Sequence, residues 1–250
     1  MPHGICHLSL VPVRTLAEDG AEMCTQLLYG DHFTILDQRK HWSRIRVAFD
    51  GSEGWICNLQ FRPLEDSDFK KIEDTSPRQY ATDLVAFSST HDDVLIPVLL
   101  GSQAGQAPLL GHRYEGELGS GISGKQNLAG TALLYLNAPY LHGGLSPFGI
   151  DSAGLAQMVY RLNGVALKRS PAGQATQGEA LSFIEESEAG DLAFFDDKDG
   201  RITHVGIILK DNHIIHVHGK VRIDRLDHTG IFNPELGLYS HQLRVIKKMQ

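Results

Sequence analysis

The sequence predicts small all-β modules followed by an α+β domain. Three observations carry that expectation. Residues 5–62 break into short runs of alternating polarity separated by turn residues. Residues 151–164 hold an apolar stripe of helical period. The segments after it return to alternation, with a hairpin signal at Lys210-Asp211-Asn212. A helix first and antiparallel strands after it is an α+β order.

Taken in order, residues 1–64 contain "ICHLSLVPVR", "HFTIL", "WSRIRVAF" and the turn-to-strand segment "DGSEGWI". Several short strands within about 60 residues predict a small β-barrel. Residues 65–79 are polar and charged, as a linker or solvated helix would be. Residues 80–125 return to short strands in "DLVAFS", "VLIPVLLG" and "HRYEGEL", the pattern of a second small barrel. From residue 126 the pattern changes. "QNLAGTALLYLN" forms a short helix ending near Pro139. In "DSAGLAQMVYRLNG", Asp151 or Ser152 caps a helix whose stripe is Leu155, Met158, Val159 and Leu162, and Asn163-Gly164 closes it. "GDLAFF", "ITHVGIIL", "HIIHVHG" and "HQLRVIKKM" supply the strands that follow.

Composition narrows the function. The chain has 250 residues, 42% of them hydrophobic and 21% charged, enough to bury a core and unlike a disordered protein. Its net charge is −7 and it has no basic stripe, so a nucleic-acid partner is not expected. No run of apolar residues is long enough for a membrane span. "MPHGICHLSLVPVRT" lacks the basic start and long apolar run of a secretory signal. The expected location is the cytoplasm if Met1 is native, or the periplasm if a signal peptide has been removed. Cys6, Cys24 and Cys57 are an odd number without zinc-site spacing, so neither a disulfide framework nor a zinc ribbon is expected. Residues 58–250 contain no cysteine.

Chemistry concentrates in the last third. Alternation puts His204 on one face with Ile202, Gly206 and Ile208, and His216 with Ile214 and His218. A hairpin centred near residue 211 brings His204 and His216 onto adjacent strands within a residue or two of register. A lone histidine is usually a satisfied or surface group; two brought together are a candidate base near neutral pH. Ser152 stands at a helix start, where free backbone N–H groups favour a reactive group, although spacing alone reads it as a cap. His216-X-His218 could share a metal with His142 or His204. No cysteine and no obvious carboxylate completes such a set, so neither metal nor cofactor is expected.

"NAPYLHGGLSPFGIDSAGLAQMVYRLNGVAL", "GDLAFFDDKDGRITHVGIIL" and "HIIHVHGKVRIDRLDHTGI" resemble the NlpC/P60 family of papain-like cysteine peptidases. More narrowly, they resemble its γ-D-glutamyl-L-diamino-acid endopeptidases that carry bacterial SH3-like domains. "GICHLSLVPVR", "AEMCTQLLYGDHFTIL" and "GSEGWI" are similar to the first SH3-like domain of that group. The resemblance covers nearly the whole chain, least clearly over 80–125. It implies a papain-like domain over 126–250 preceded by one or two SH3-like barrels. It also implies action on peptidoglycan stem peptides of the type L-Ala-γ-D-Glu-diamino acid. A monomer without a cofactor is expected. In the family a cysteine at a helix start attacks the carbonyl, a strand histidine is the base, and a second polar residue orients it. By resemblance His204 is the base and His216 the orienting residue. Asp151 precedes the nucleophile, Tyr140 lies at the substrate-binding end, and Glu22 of the first SH3-like domain meets the substrate amine.

The chain departs from that pattern at five places. Position 152 is serine where the family has its nucleophilic cysteine. His142 stands for a common tryptophan and Leu145 for an arginine. Ala153 and Ser170 replace the serine and aspartate that help hold the free amine of L-Ala. A serine hydroxyl is far less acidic than a thiol and needs a base and oxyanion hole tuned to it. Loss of a nucleophile costs several orders of magnitude in rate. An engineered Cys→Ser change would alter position 152 alone, whereas divergence accounts for all five. The expectation is therefore a catalytically impaired relative that binds cell-wall peptides or a protein partner through the ancestral cleft. An active endopeptidase carrying an engineered nucleophile is the alternative, and a serine hydrolase built on Ser152, His204 and His216 a third.

Overall fold

A computed structural model describes residues 2–121 and 124–249. The chain forms two compact units, residues 1–122 with 142–146, and residues 123–141 with 147–250.

In the first unit, β1 (His3–Ile5), β2 (Leu10–Arg14), β3 (Met23–Leu28), β4 (His32–Gln38), β5 (Trp42–Val47), β6 (Glu53–Cys57) and β7 (Arg62–Leu64) form a seven-stranded sheet in the order β3-β2-β6-β5-β4-β1-β7. Alternation sends Val11 and Val13 of β2 and Ile45 and Val47 of β5 inward. They join Leu27, Phe33, Ile35 and Ile56 in one core, each large side chain contributing about 1.5–3 kcal/mol by burial. Cys6, Cys24 and Cys57 are not in disulfides, and burial pushes the Cys6 thiol far above its ordinary value, so it packs as an unreactive group.

Residues 65–79, expected as a linker or solvated helix, hold α1 (Asp66–Asp74). Its Ile72 is buried in a second core with Ile5, Tyr29, Leu64, Val98 and Leu110. Over 80–121, β8 (Tyr80–Ala81) pairs with β12 (Leu118–Gly119), while β9 (Val85–Ser89) lies between β10 (Leu95–Leu99) and β11 (Arg113–Tyr114). This part shares the second core with the first sheet. The Tyr29 hydroxyl lies 3.3 Å from Ser88 Oγ and 2.9 Å from His112 Nδ1, and Gln103 Nε2 donates to Asp31 Oδ1 at 3.0 Å. The short β13 (Leu145–Ser146) also belongs to this unit, and the Leu145 amide donates to Gln26 Oε1 at 2.8 Å.

The second unit contains α2 (Leu128–Leu133), β14 (Gly149–Ile150), α3 (Ser152–Leu162) and α4 (Pro171–Gln174). These are followed by β15 (Glu179–Leu181), β16 (Leu192–Asp196), β17 (Ile202–Ile208), β18 (His213–His218), β19 (Lys220–Leu226), β20 (Gly230–Asn233) and β21 (Leu238–Lys248). The sheet order is β15-β21-β16-β17-β18-β19-β20, and β20 also pairs with β21, so β16 to β21 close into a ring. Ala193, Phe195, Ile208, Ile214, Leu226, Ile231 and Ile246 fill one cluster of this unit. The β17–β18 hairpin turns through Asp211 and Asn212, both at positive φ (58° and 57°), a conformation these residue types tolerate better than most.

The stripe predicted for α3 proves too narrow. Ser152 to Arg161 are all buried, because Ala153, Gly154 and Ala156 let the remaining faces approach their neighbours closely. The helix packs on β17 and β18. No helix among the described residues is long and apolar enough to cross a membrane.

Candidate active site

Register places the histidines. In the β17–β18 pair Gly206 stands opposite His216, so His204, two residues before Gly206 on the same face, lies diagonal to His216. His204 Nε2 lies 3.0 Å from His216 Nδ1. Glycine at 206 makes room for this. An added Cβ there would lie 2.6 Å from Ile214 Cδ1 and 3.0 Å from His216 Cβ.

The β18–β19 pair extends the chain of contacts. His216 opposes Arg222, and Ile214 opposes Asp224. His216 Nε2 reaches Asp224 Oδ2 at 3.0 Å, and Arg222 grips the same carboxylate through Nε to Oδ2 at 2.7 Å and Nη2 to Oδ1 at 3.0 Å. Burial pushes the Asp224 carboxyl up. The hydrogen bonds from His216 and Arg222 outweigh this and hold it below the usual carboxylate range. Asp224 is therefore ionised and accepts the Nε2 proton of His216. His216 Nδ1 is then an acceptor, and His204 Nε2–H donates to it. Burial lowers the proton affinity of both rings, for His204 aided by His241, His216 and His218, so both are neutral at pH 7.

Sequence reasoning missed two members of this cluster. Alternation in "KVRIDRL" does put Arg222 and Asp224 on one face, a signal for the carboxylate; alternation alone does not pair that strand with the one carrying His216. His241 stacks on His204 with ring centroids 3.9 Å apart, and its Nδ1 lies 2.9 Å from Ser240 Oγ. It arrives on β21, paired opposite Ile231, by a long-range pairing that no local pattern announces. Burial, with His216 and His218 nearby, holds its pKa at about 4.

The other predicted residues are placed as follows. Ser152 opens α3 and is buried; among the described residues no hydrogen bond links its hydroxyl to His204. Asp151 is the N-cap, accepting from the Gly154 amide at 2.7 Å, and it forms a two-pronged ion pair with Arg169 at 2.9 and 2.6 Å. Ala153 is buried, and its carbonyl accepts from Gln174 Nε2 at 2.9 Å. Ser170 caps α4 through its bond from the Gly173 amide at 3.1 Å. Tyr140 is half exposed, with its amide donating to the Gly219 carbonyl at 3.0 Å. Glu22 lies in the first unit and pairs with His142 of the same unit at 3.1 Å, both side chains exposed.

A buried His–His–carboxylate chain on strands that pack against α3 can polarise a nucleophile brought within its reach. Residues 137–236 match the NlpC/P60 family, and residues 13–58 match the bacterial dipeptidyl-peptidase SH3 domain. The chain carries an NlpC/P60 domain behind an SH3-like domain. The domain is papain-like as expected, and the matched residues include His204, His216 and His218, with His241 following on β21 of the same sheet. Over 221 residues the chain is 24% identical to γ-D-glutamyl-L-lysine dipeptidyl-peptidase of Bacillus cereus, covering 77% of this chain and 66% of that protein. Over 108 residues it is 34% identical to dipeptidyl-peptidase 6 of Lysinibacillus sphaericus, covering 41% of this chain and 37% of that one. The chain thus spans less than two thirds of these relatives. Its fold is shared with an NlpC/P60 family protein of Bacillus cereus at a TM-score of 0.74 and 16% identity, covering 98% of this chain and 99% of that one.

Proposed function

We propose that this NlpC/P60 protein binds peptidoglycan stem peptides and is catalytically impaired. The observation that carries the reading is serine at position 152, the first residue of α3, where the chemistry of the family needs a thiolate. His204 is the base position, His216 orients it, and Ser152 is the nucleophile position. Tyr140 and Asp151 contribute to the peptide site, with Ala153 and Ser170 standing where the family clamps the L-Ala amine, and Glu22 is the acidic residue for that amine. Three of these assignments meet a competing structural role. Ser170 is engaged as a helix cap, Asp151 is tied to Arg169, and Glu22 is paired with His142. A weakened amine clamp is what such engagement supports.

The intact chain from His204 through His216 to Asp224 favours a second reading. In it, the protein is a γ-D-glutamyl-L-diamino-acid endopeptidase whose nucleophile alone has been exchanged. Ser152→Cys separates the two. Hydrolysis of L-Ala-γ-D-Glu-diaminopimelate is measured for the chain as it stands and for the variant, with binding followed by calorimetry. A cleft diverged at the amine clamp as well as at position 152 predicts binding without turnover in both proteins. A gain of several orders of magnitude in kcat/KM on introducing the thiol supports the second reading and overturns divergence of the cleft beyond position 152. Turnover by the unaltered chain that Ser152→Ala abolishes would identify a serine hydrolase.

A further inference from the structure

Three buried or half-buried imidazoles, carried by β17, β18 and β21, meet in a set the peptidase chemistry accounts for only in part. His204, His216 and His241 each offer a ring nitrogen, and the three nitrogens lie within 4.8 Å of one another. The peptidase reading uses His204 and His216 and leaves His241 idle. The sequence offers no cysteine and no obvious carboxylate to complete a set with His216; the fold adds a third imidazole, His241, and places the Asp224 carboxylate against His216.

We propose that His204, His216 and His241 form a binding site for a divalent first-row transition-metal ion, with Zn2+ as its natural probe. The donor set is three neutral imidazoles with no fourth protein ligand, the arrangement of an open zinc site with a position left for water or a ligand oxygen. Each ring has a nitrogen to give. His216 Nε2 is held by Asp224 at 3.0 Å, which leaves Nδ1. His241 Nδ1 is engaged by Ser240 Oγ at 2.9 Å, which leaves Nε2. His204 Nε2 already points at His216 Nδ1.

The Asp224–His216 contact is the carboxylate–imidazole support that fixes the orientation and raises the basicity of a metal-bound histidine. Arg222 in turn fixes that carboxylate. Zinc–nitrogen bonds of about 2.0–2.1 Å set a tetrahedral edge near 3.4 Å, so the 3.0 Å pair must open slightly and the wider contacts must close. His241 is the most exposed of the three rings, and a tilt out of its stack on His204 closes them. The proton on His204 Nε2 moves to Nδ1, and that ring stays neutral. The exposed His218, one strand position beyond, lies outside the set and serves as the control.

The test uses the full chain stripped of metal and titrated with ZnCl2 by calorimetry at pH 7.5. The site predicts one Zn2+ per chain lost by at least tenfold in affinity in His241→Gln, reduced 10- to 100-fold in Asp224→Asn, and unchanged in His218→Ala. Circular dichroism establishes that each variant is folded. A second measurement needs no variant: Zn2+ should shield His241, but not His218, from diethyl pyrocarbonate, read by peptide mass spectrometry. Absence of stoichiometric binding, or equal affinity in His241→Gln and the parent, overturns the proposal, as does equal modification of His241 with and without Zn2+. These readouts involve no peptide substrate, so they stand or fall independently of hydrolysis.

Discussion

Asp224 holds two groups at once. Its buried carboxylate accepts from His216 on one side and from Arg222 on the other. Removing it strands a buried imidazole N–H and a largely buried guanidinium together. Asp224→Ala is expected to destabilise the protein by about 3–5 kcal/mol, because breaking a buried pair leaves its partner uncompensated. Asp224→Asn, which keeps one hydrogen bond, should lose distinctly less. Urea unfolding of the two variants checks the order, and equal losses would count against the carboxylate as the organising charge. At this scale the sequence was half legible. His204 and His216 follow from alternation and one turn. Gly206 becomes meaningful only once its opposite residue is known, and His241 is invisible without the pairing of β21.

Capping fixes where α3 begins, which its apolar stripe does not. The stripe identified the helix and Asn163-Gly164 its end, in agreement with the C-cap at Asn163 and the positive φ of Gly164. Between Asp151 and Ser152 as cap, the sequence left a choice that the structure resolves. Asp151 accepts the Gly154 amide, so Ser152 is freed to be the first helical residue. Loss of such a cap costs about 0.5–2 kcal/mol, and Asp151 also holds Arg169. Asp151→Ala should therefore lower stability by about 2 kcal/mol, with Asp151→Asn recovering the cap but not the ion pair. Thermal unfolding of both variants measures the split. A full recovery in Asp151→Asn would show that Arg169 adds nothing. The segment 65–79 illustrates why other elements were harder to read. Its charges hide one buried residue, Ile72, and a single inward position is too little pattern to reveal packing.

Across the molecule, long-range contacts join segments that local patterns treated as separate. His32 on β4 is one such junction, buried with Nε2 at 2.8 Å from Glu73 of α1 and Nδ1 without a partner. Burial pushes its proton affinity down, and the nearby Glu73 and Asp31 only partly restore it. Below about pH 6.5 the unfolded chain therefore binds more protons here than the folded one, and stability falls as the pH drops. The unfolding midpoint should decrease between pH 7 and pH 5, with this one group adding a slope of up to about 1.4 kcal/mol per pH unit. His32→Gln should flatten that profile, and an unaltered slope would remove His32 as its source.

The closure of the ring by β21 also sets an order of events during synthesis. β16 to β20 are made first, yet β16 waits for the strand that lies between it and β15, and β20 waits for the same strand. N-terminal segments fold first as a chain emerges from the ribosome, so this unit spends its synthesis as an open sheet with an unpaired edge on each side. β21 seals both edges in one step, and the same strand delivers His241. Ring closure and the third imidazole thus arrive together, and nascent chains halted before residue 238 present neither.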